Sequence, residues 1–310
     1  MTAGYRSLMT TAHPALHDWI TVHADSRRWG QVASRPDDIV ISTPPKSGTT
    51  WMQGIVYSLL WPRGDGPAFE GITPWIDMRL FPIEDVAADV EAQTHRRFLK
   101  THTPADCLAI DDEVSYLVVY RDGRDALVSW ANHRGKMRPE VIEALNERAA
   151  EDGLGPLDPH LDVDDVDTLL DEWLVECSSV RHLASWWPLR DLPNVCFVHY
   201  ADLLADLGGE MRRIAEFLEL DVPDDAWPAT VDRCHIDEMR ATATASGLHE
   251  LGFEGGAASF FNKGTNGRWV GRLTDDQIQR YLDHVADGLP SDAAEWLEHG
   301  SLGLGARPGS

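Results

Sequence analysis

The chain has 310 residues, with 27 basic and 51 acidic side chains, a formal net charge of −24 and 43% hydrophobic residues. A chain this acidic lacks the positive field of a general nucleic-acid or anionic-membrane binder, so we expect no nucleic-acid partner. Its hydrophobic content suffices for a packed core and excludes global disorder. No apolar stretch approaches the roughly 18 residues of a membrane-spanning helix, so no membrane span is expected.

The cysteines and the N-terminus indicate the compartment. The N-terminal segment, residues 1–29, shows no apolar signal-peptide region. The cysteines have neither C-x-x-C spacing nor a partner cluster of the metal-ligand type, so free thiols and no metal site are expected. These cysteines are Cys107, Cys177, Cys196 and Cys234. The sequence therefore predicts a soluble, cytoplasmic protein.

The predicted elements begin with a β-branched strand at residues 38–43, a turn at 44–49 and a helix whose apolar residues recur at helical spacing. The same plan follows at residues 114–120, where a strand leads into a turn and a helix. A third unit has a strand at 195–200 and a helix over about 206–219. Residues 98–102 form a further strand candidate.

The C-terminal part again favours a helix, because Thr274 to Gln277 has a capping-box pattern. Residues 61–95 and 237–262 show weaker periodicity, and the acidic segment 151–176 is expected to form a solvated surface.

The alternation of strands and helices predicts an α/β fold with a central parallel β-sheet flanked by helices. We expect a single domain over residues 1–310, with its core at about 36–290 and a frayed tail at about 302–310.

The turn after the first strand carries the strongest chemical signal. It has the sequence Pro44-Pro45-Lys46-Ser47-Gly48-Thr49-Thr50-Trp51. A helix start presents unpaired N–H groups to an anion, Gly48 allows the backbone to curl closely, and the hydroxyls and Lys46 add donors. The loop is P-loop-like but is not a Walker A motif, in which the lysine follows the second glycine. Trp51 offers a ring on which a nucleobase could stack.

Three further motifs follow in order: Lys100-Thr101-His102, Arg121-Asp122-Gly123-Arg124-Asp125-Ala126-Leu127-Val128-Ser129, and Lys263-Gly264-Thr265-Asn266-Gly267-Arg268-Trp269. With the anion loop, they resemble the cytosolic sulfotransferase family over about residues 39–274. That family transfers a sulfuryl group from 3′-phosphoadenosine 5′-phosphosulfate (PAPS) to an acceptor and leaves 3′-phosphoadenosine 5′-phosphate (PAP).

The resemblance implies a role for each catalytic candidate. His102 is the general base, and Lys46 contacts the bridging oxygen of the leaving group. Lys100 contacts the sulfuryl oxygens or the acceptor. Ser129 binds the 3′-phosphate and restrains Lys46 until an acceptor is present. The implied cofactor-binding set is Pro45, Lys46, Ser47, Gly48, Thr49, Thr50, Trp51, Arg121, Ser129, Tyr200, Ile236, Asn262, Lys263 and Gly264.

Some positions depart from the family pattern. Asn262 stands where the family has Arg, which removes a bidentate phosphate donor. Arg268 replaces an Asp, and Ile236 stands where an aromatic residue holds the adenine. The family's dimerisation signature is not matched at residues 270–280, so dimerisation by that mode is not expected, and oligomerisation by another mode stays open.

The acceptor is expected to be a small molecule with a hydroxyl group, and Trp75, Phe81 and Trp130 are the candidate pocket residues. An aromatic lining suits a phenol, steroid, lipid or glycolipid, and the sequence does not choose among them. Each of these aromatic residues could instead belong to the core, as could Tyr200, and Arg121 could serve as an ion-pair partner of Asp125.

Two alternative functions remain open. One is a catalytically silent nucleotide-binding protein of the same fold, which the departures at positions 262 and 236 keep in consideration. The other is a P-loop kinase-like transferase. The position of Lys46 and the lack of a Walker-type magnesium site disfavour it.

Overall fold

A four-stranded parallel sheet organises the molecule. The computed structural model describes residues 13–69, 71–176, 179–246, 252–256 and 264–302. The strands are β1 (Ile39–Ser42), β2 (Phe98–Thr101), β3 (Ser115–Tyr120) and β4 (Val195–His199), and their order in the sheet is β2-β1-β3-β4. All three strand pairs are parallel, which confirms the predicted α/β fold.

Helices cover both faces of this sheet. Those of the described residues are α1 (Thr49–Leu60), α2 (Ile83–Ala92), α3 (Gly123–Arg134), α4 (Pro139–Ala150), α5 (Val166–Glu176), α6 (Ser179–Trp186), α7 (Tyr200–Ala205), α8 (Leu207–Phe217), α9 (Trp227–Asp232), α10 (Ile236–Ser246), α11 (Asp275–Gly288) and α12 (Ser291–His299). Short 3-10 helices lie at Ser26–Gln31, Ala105–Cys107, Trp187–Leu189 and Gly300–Leu302.

The core is divided by the sheet because alternate strand residues point to opposite faces. Ile39, Ile41 and Leu117 pack on one side with buried residues of α1 and α8. Val40 and Val118 pack on the other side with buried residues of α6, α11 and α12. With both faces covered, the strands consist almost entirely of buried residues, as is typical of parallel sheets.

Several helices were not anticipated from the sequence, and two of them lie in the segments of weak periodicity. α2 lies within the segment 61–95 and buries only Val86 and Val90, so its apolar pattern is short. α10 begins at Ile236 and extends into the segment 237–262. Met239 packs closely on α1, since a Cβ at Gly54 would lie 2.6 Å from the Met239 methyl carbon. Met239 and Ala243, four residues apart, join the buried core beside α1, so a short apolar face holds α10.

The predicted boundaries differ elsewhere by a few residues. Tyr200 begins α7 instead of ending β4, because His199 caps the helix by accepting from the Ala201 N–H. The capping box of α11 is present as predicted, with Thr274 and Gln277 exchanging hydrogen bonds. Residues 303–310 of the expected tail lie outside the described part of the chain.

The strand order places a ligand site at one edge of the sheet. The chain passes from β1 outward to β2 on one side and returns to β3 on the other, so the order reverses between β1 and β3. Ligands of open α/β sheets bind outside the carboxyl ends of the strands at such a point. The anion loop follows β1, His102 follows β2, Arg121 follows β3 and Tyr200 follows β4, so three of the motifs and Tyr200 reach the same edge.

In the part of the chain that the structure describes, no helix combines the length and the apolar character needed to cross a lipid bilayer.

Candidate active site

The anion loop has the tight backbone that its sequence predicted. Lys46 and Gly48 both have left-handed backbone angles, with φ values of 65° and 105°. A Cβ at Gly48 would lie 3.0 Å from the Tyr200 ring, so glycine is required there for both reasons. α1 begins directly afterwards, at Thr49, and its first N–H groups have no partner within the helix.

A buried hydroxyl in this loop points to a missing ligand. Ser47 is fully buried, and its Oγ has no hydrogen-bond partner among the described residues. A buried polar group without a partner is costly unless a ligand supplies one. The loop therefore fits an anionic group that would accept from Ser47, from the N–H groups at the start of α1 and from Lys46.

Two aromatic rings and a guanidinium form a wall beside the loop. Trp51 meets the Tyr200 ring edge-on with centroids 4.9 Å apart, and its Nε1 donates to the carbonyl of Cys234 at 2.8 Å. The Arg121 guanidinium lies 4.4 Å from the centre of the Tyr200 ring. Trp51 and Tyr200 are buried. Each ring therefore belongs to the core and also lies next to the anion loop.

The start of α3 holds the C-terminal motif in place. Arg121 Nη2 donates to the carbonyl of Thr265 at 2.6 Å, while its closest approach to Asp125 is 4.0 Å. Asp125 instead accepts from the N–H groups of Gly267 and Arg268, each at 2.7 Å. The alternative that Arg121 serves only as a partner of Asp125 therefore does not describe its main contact.

The remaining cofactor candidates occupy varied positions. Ser129 lies in α3, half-buried. Gly264 has a φ of 66°, and a Cβ there would meet Ile236 at 3.1 Å, so these two candidate positions adjoin. Asn262 and Lys263 lie outside the described residues.

The His102 ring is held in one tautomer. Its Nδ1 lies 2.6 Å from the carbonyl oxygen of Thr43. A carbonyl can only accept, so Nδ1 carries the proton and Nε2 keeps its lone pair. The Thr43 hydroxyl lies 3.2 Å from the same Nδ1 and 2.6 Å from the Thr49 hydroxyl, which links the ring to the anion loop.

Asp77 fixes the backbone that carries His102. This fully buried carboxylate accepts from the Thr101 hydroxyl at 3.0 Å, the His102 N–H at 3.0 Å and the Thr103 hydroxyl at 2.9 Å. Burial raises the pKa of Asp77, and the three donors oppose that shift. The end of β2 is thus bonded to a side chain from a loop more than 20 residues earlier.

The two basic groups at the end of β2 are both less basic than usual. Burial, and then the charge of Lys100, lowers the pKa of His102 to about 3. Burial lowers the pKa of Lys100 to about 8, against the attraction of Asp77. His102 is therefore neutral at pH 7, as a proton acceptor must be, and Lys100 remains mostly charged.

Aromatic and imidazole rings surround His102 and Lys46, and we call them the ring cluster: His23, Trp75, Trp130, His133 and Phe253. Trp75 meets the His102 ring with centroids 4.6 Å apart and carries the Lys100 ammonium 4.1 Å from its ring centre. Trp130 contacts both His23 and His133. Of the predicted acceptor residues, Trp75 and Trp130 therefore belong to this cluster. Phe81 is 55% exposed, and no described ring contact joins it to the others.

Sequence reasoning missed Asp77, His23 and His133. Asp77 and His23 come from segments without strong periodicity. A hydrogen bond from the Arg79 N–H to the His23 carbonyl, at 3.0 Å, joins these two segments. His133 lies in the last turn of α3, within one turn of the predicted Trp130. The helical spacing of four residues from Ser129 is the signal that would have drawn attention to it.

Comparison with known proteins identifies the family. A family model described as the sulfotransferase domain matches residues 36–295. A glycolipid sulfotransferase of Mycobacterium bovis is 32% identical, with 95% of this chain and 98% of that protein covered. Sulfotransferase 1A1 of Rattus norvegicus is 26% identical, with 81% and 84% covered.

A solved structure shares the fold. The mouse sulfotransferase SULT7A1 complexed with PAP matches with a TM-score of 0.65 at 19% identity, covering 93% of this chain and 98% of that one. The fold and the match over most of the chain define a transferase enzyme. The chain belongs to the sulfotransferase domain family.

Proposed function

We propose that the chain transfers a sulfuryl group from PAPS to a hydroxyl group of a small, apolar or aromatic acceptor. The observation that carries this proposal is the position of His102, whose Nε2 lone pair is fixed beside an anion-binding loop that bears Lys46. A proton acceptor and an anion site at one sheet edge are the two groups that transfer to a hydroxyl requires.

The nucleotide would be held by three parts of the site. The N–H groups at the start of α1, the Ser47 hydroxyl and Lys46 would hold the 5′-phosphosulfate end. Arg121, with Ser129 further along α3, would bind the 3′-phosphate. Tyr200 would contact the nucleotide from the adjoining wall. PAPS would supply the sulfuryl group, attached to a phosphate oxygen that leaves with the electron pair of the broken bond.

His102 would act as the general base. Its Nε2 accepts the proton of the acceptor hydroxyl while the acceptor oxygen bonds to sulfur, and the bond between sulfur and the phosphate oxygen breaks on the opposite side. The Thr43 carbonyl keeps the Nδ1 proton in place, which stabilises the imidazolium that forms. A ring with a lowered pKa holds that proton weakly, so it is returned readily to solvent.

The two lysines would stabilise the negative charge. Lys46 would contact the oxygen that bridges sulfur and phosphate, where charge grows in the transition state. Lys100 would contact the sulfuryl oxygens from the Trp75 side. The sulfuryl group carries less charge than a phosphoryl group, so these ammonium groups can act without a metal ion.

The ring cluster would bind the acceptor. Trp75 lies against His102, and Trp130 packs on His23 and His133 in the same ring cluster; an aromatic lining of this kind suits a phenol, steroid, lipid or glycolipid. The mycobacterial relatives named as glycolipid sulfotransferases favour trying glycolipids first. The three described cysteines are free and buried, which supports a reducing, cytoplasmic location.

Binding measurements separate this proposal from its alternatives. We expect isothermal titration calorimetry to show binding of PAP and much weaker binding of ATP with magnesium, and Lys46→Ala to weaken PAP binding. A preference for magnesium ATP would favour a kinase-like enzyme. Binding of PAP with no transfer from PAPS across a broad acceptor panel would favour a catalytically silent protein.

A further inference from the structure

The ammonium of Lys46 has a specific neighbour outside the anion loop. Its Nζ lies 3.1 Å from Nδ1 of His133, which is 87 residues away in the sequence. An ammonium can only donate, so Nδ1 of His133 is the acceptor and the proton of its neutral ring is on Nε2. The pair joins the loop after β1 to the last turn of α3.

The His133 ring is held rigidly enough to serve as a fixed acceptor. It stacks on Trp130 with centroids 5.5 Å apart at an interplanar angle of 24°, and it meets Phe253 at 4.7 Å. Trp130 is anchored in turn, because its Nε1 donates to Glu172 at 2.9 Å. Packing on two sides therefore fixes the direction of the Nδ1 lone pair.

Lys46 has reason to need such an acceptor. Its ammonium ends a flexible four-carbon chain that can rotate among many positions, whereas the backbone below it is fixed in a left-handed conformation. An ammonium has three N–H donors. The hydrogen bond to His133 restricts the directions in which these donors can point.

We propose that His133 is a positioning residue that accepts a hydrogen bond from Lys46 and thereby fixes the direction of its ammonium at the anion loop. The inference rests on the proposed function, since it assigns Lys46 to the charge that develops on the leaving oxygen. Donors that are oriented beforehand stabilise a transition state without reorganisation. The loss of His133 should therefore affect kcat more than nucleotide binding.

Two substitutions separate the hydrogen bond from the packing. His133→Phe keeps a flat ring against Trp130 and Phe253 but has no acceptor. His133→Asn loses the ring, yet its Oδ1 can stand close to the position of Nδ1. Thermal unfolding checks that both variants fold, calorimetry with PAP gives nucleotide affinity, and transfer from labelled PAPS gives kcat and KM.

We expect His133→Phe to lower kcat by about tenfold while the dissociation constant of PAP changes by less than about threefold. We expect His133→Asn to recover most of the lost kcat. A wild-type kcat in His133→Phe together with a lowered kcat in His133→Asn would show that only the ring packing matters and would overturn the inference. Equal impairment of both variants would also contradict it, because an acceptor at this position would then not restore kcat. In either case, PAP binding and transfer by the wild-type protein would leave the proposed function standing. A wild-type protein that neither binds PAP nor transfers would contradict both.

Discussion

Lys100 offers a test of the site that does not depend on the acceptor. Burial lowers its pKa from the ordinary 10.5 to about 8, because the charged form loses hydration that the surroundings do not replace. At about 1.4 kcal/mol for each pKa unit, the folded protein loses about 3 kcal/mol by carrying this charge. The attraction of Asp77 is already included in that pKa, while the contact with the Trp75 ring returns about 1 kcal/mol.

Lys100→Met removes the charge and keeps a side chain of similar length. We therefore predict that the variant is more stable than the wild type by about 2 kcal/mol at pH 7 in the absence of nucleotide. The folded-state pKa lies below the unfolded one, so the destabilisation by the charge is complete below about pH 8 and fades as the pH rises to 10.5. The stability difference between variant and wild type should narrow over the same range.

Urea unfolding at pH 7 and pH 10 measures both effects. Lys136 is exposed and provides the matched control, since Lys136→Met should change stability little at either pH. The same Lys100→Met protein should lose sulfuryl transfer, because catalysis needs the Lys100 ammonium even though that charge lowers the stability of the fold. The assignment of a desolvated ammonium at this position would be refuted if Lys100→Met were less stable than wild type. It would also be refuted if the increase in the free energy of unfolding were the same at both pH values.

Two further predictions concern the reacting groups. Lys46→Arg should lower kcat at least about 100-fold although the charge is kept, because a planar guanidinium cannot occupy the place of a compact ammonium. Steady-state kinetics with PAPS would measure this loss. Near-normal turnover would argue against a point-charge contact. The pH profile of kcat/KM should be flat from pH 5 to pH 7 and fall above about pH 8, because His102 with a pKa of about 3 is neutral throughout that range whereas Lys100 loses its proton at about 8. An acidic limb near pH 6.5 would instead indicate an unperturbed imidazole as the base.

The strands and the four motifs could be predicted because each depends on local sequence. A β-branched run followed by Pro, Gly and hydroxyl residues predicts a strand, a turn and a helix start without reference to the rest of the chain. Parallel strands then bring their carboxyl ends to one edge, so Lys46, His102, Arg121 and Tyr200 were expected to meet and do so.

The supporting contacts could not be predicted because they join distant segments. Asp77 reaches the end of β2 across 24 to 26 residues, and Lys46 reaches His133 across 87. Asp77 lies in a segment without a distinctive pattern, whereas His133 follows a motif whose helix was predicted but whose contact with Lys46 was not. Phe81, in the same irregular segment as Trp75, is 55% exposed, and no described ring contact joins it to the ring cluster. The sequence suggested both Trp75 and Phe81 as acceptor residues, and only the fold shows that Trp75 contacts His102.

The central claim is that this protein transfers a sulfuryl group from PAPS with His102 as the base. The most direct measurement is transfer of label from ³⁵S-PAPS to a panel of phenols, steroids and glycolipids by wild type and by His102→Ala, with PAP affinity measured for both. We predict labelled product from the wild type, at least about a 100-fold loss in His102→Ala, and PAP affinity within a few-fold of wild type. Turnover by His102→Ala within a few-fold of wild type would contradict the assignment of the base, and no labelled product from the wild type with any acceptor would contradict the proposed reaction.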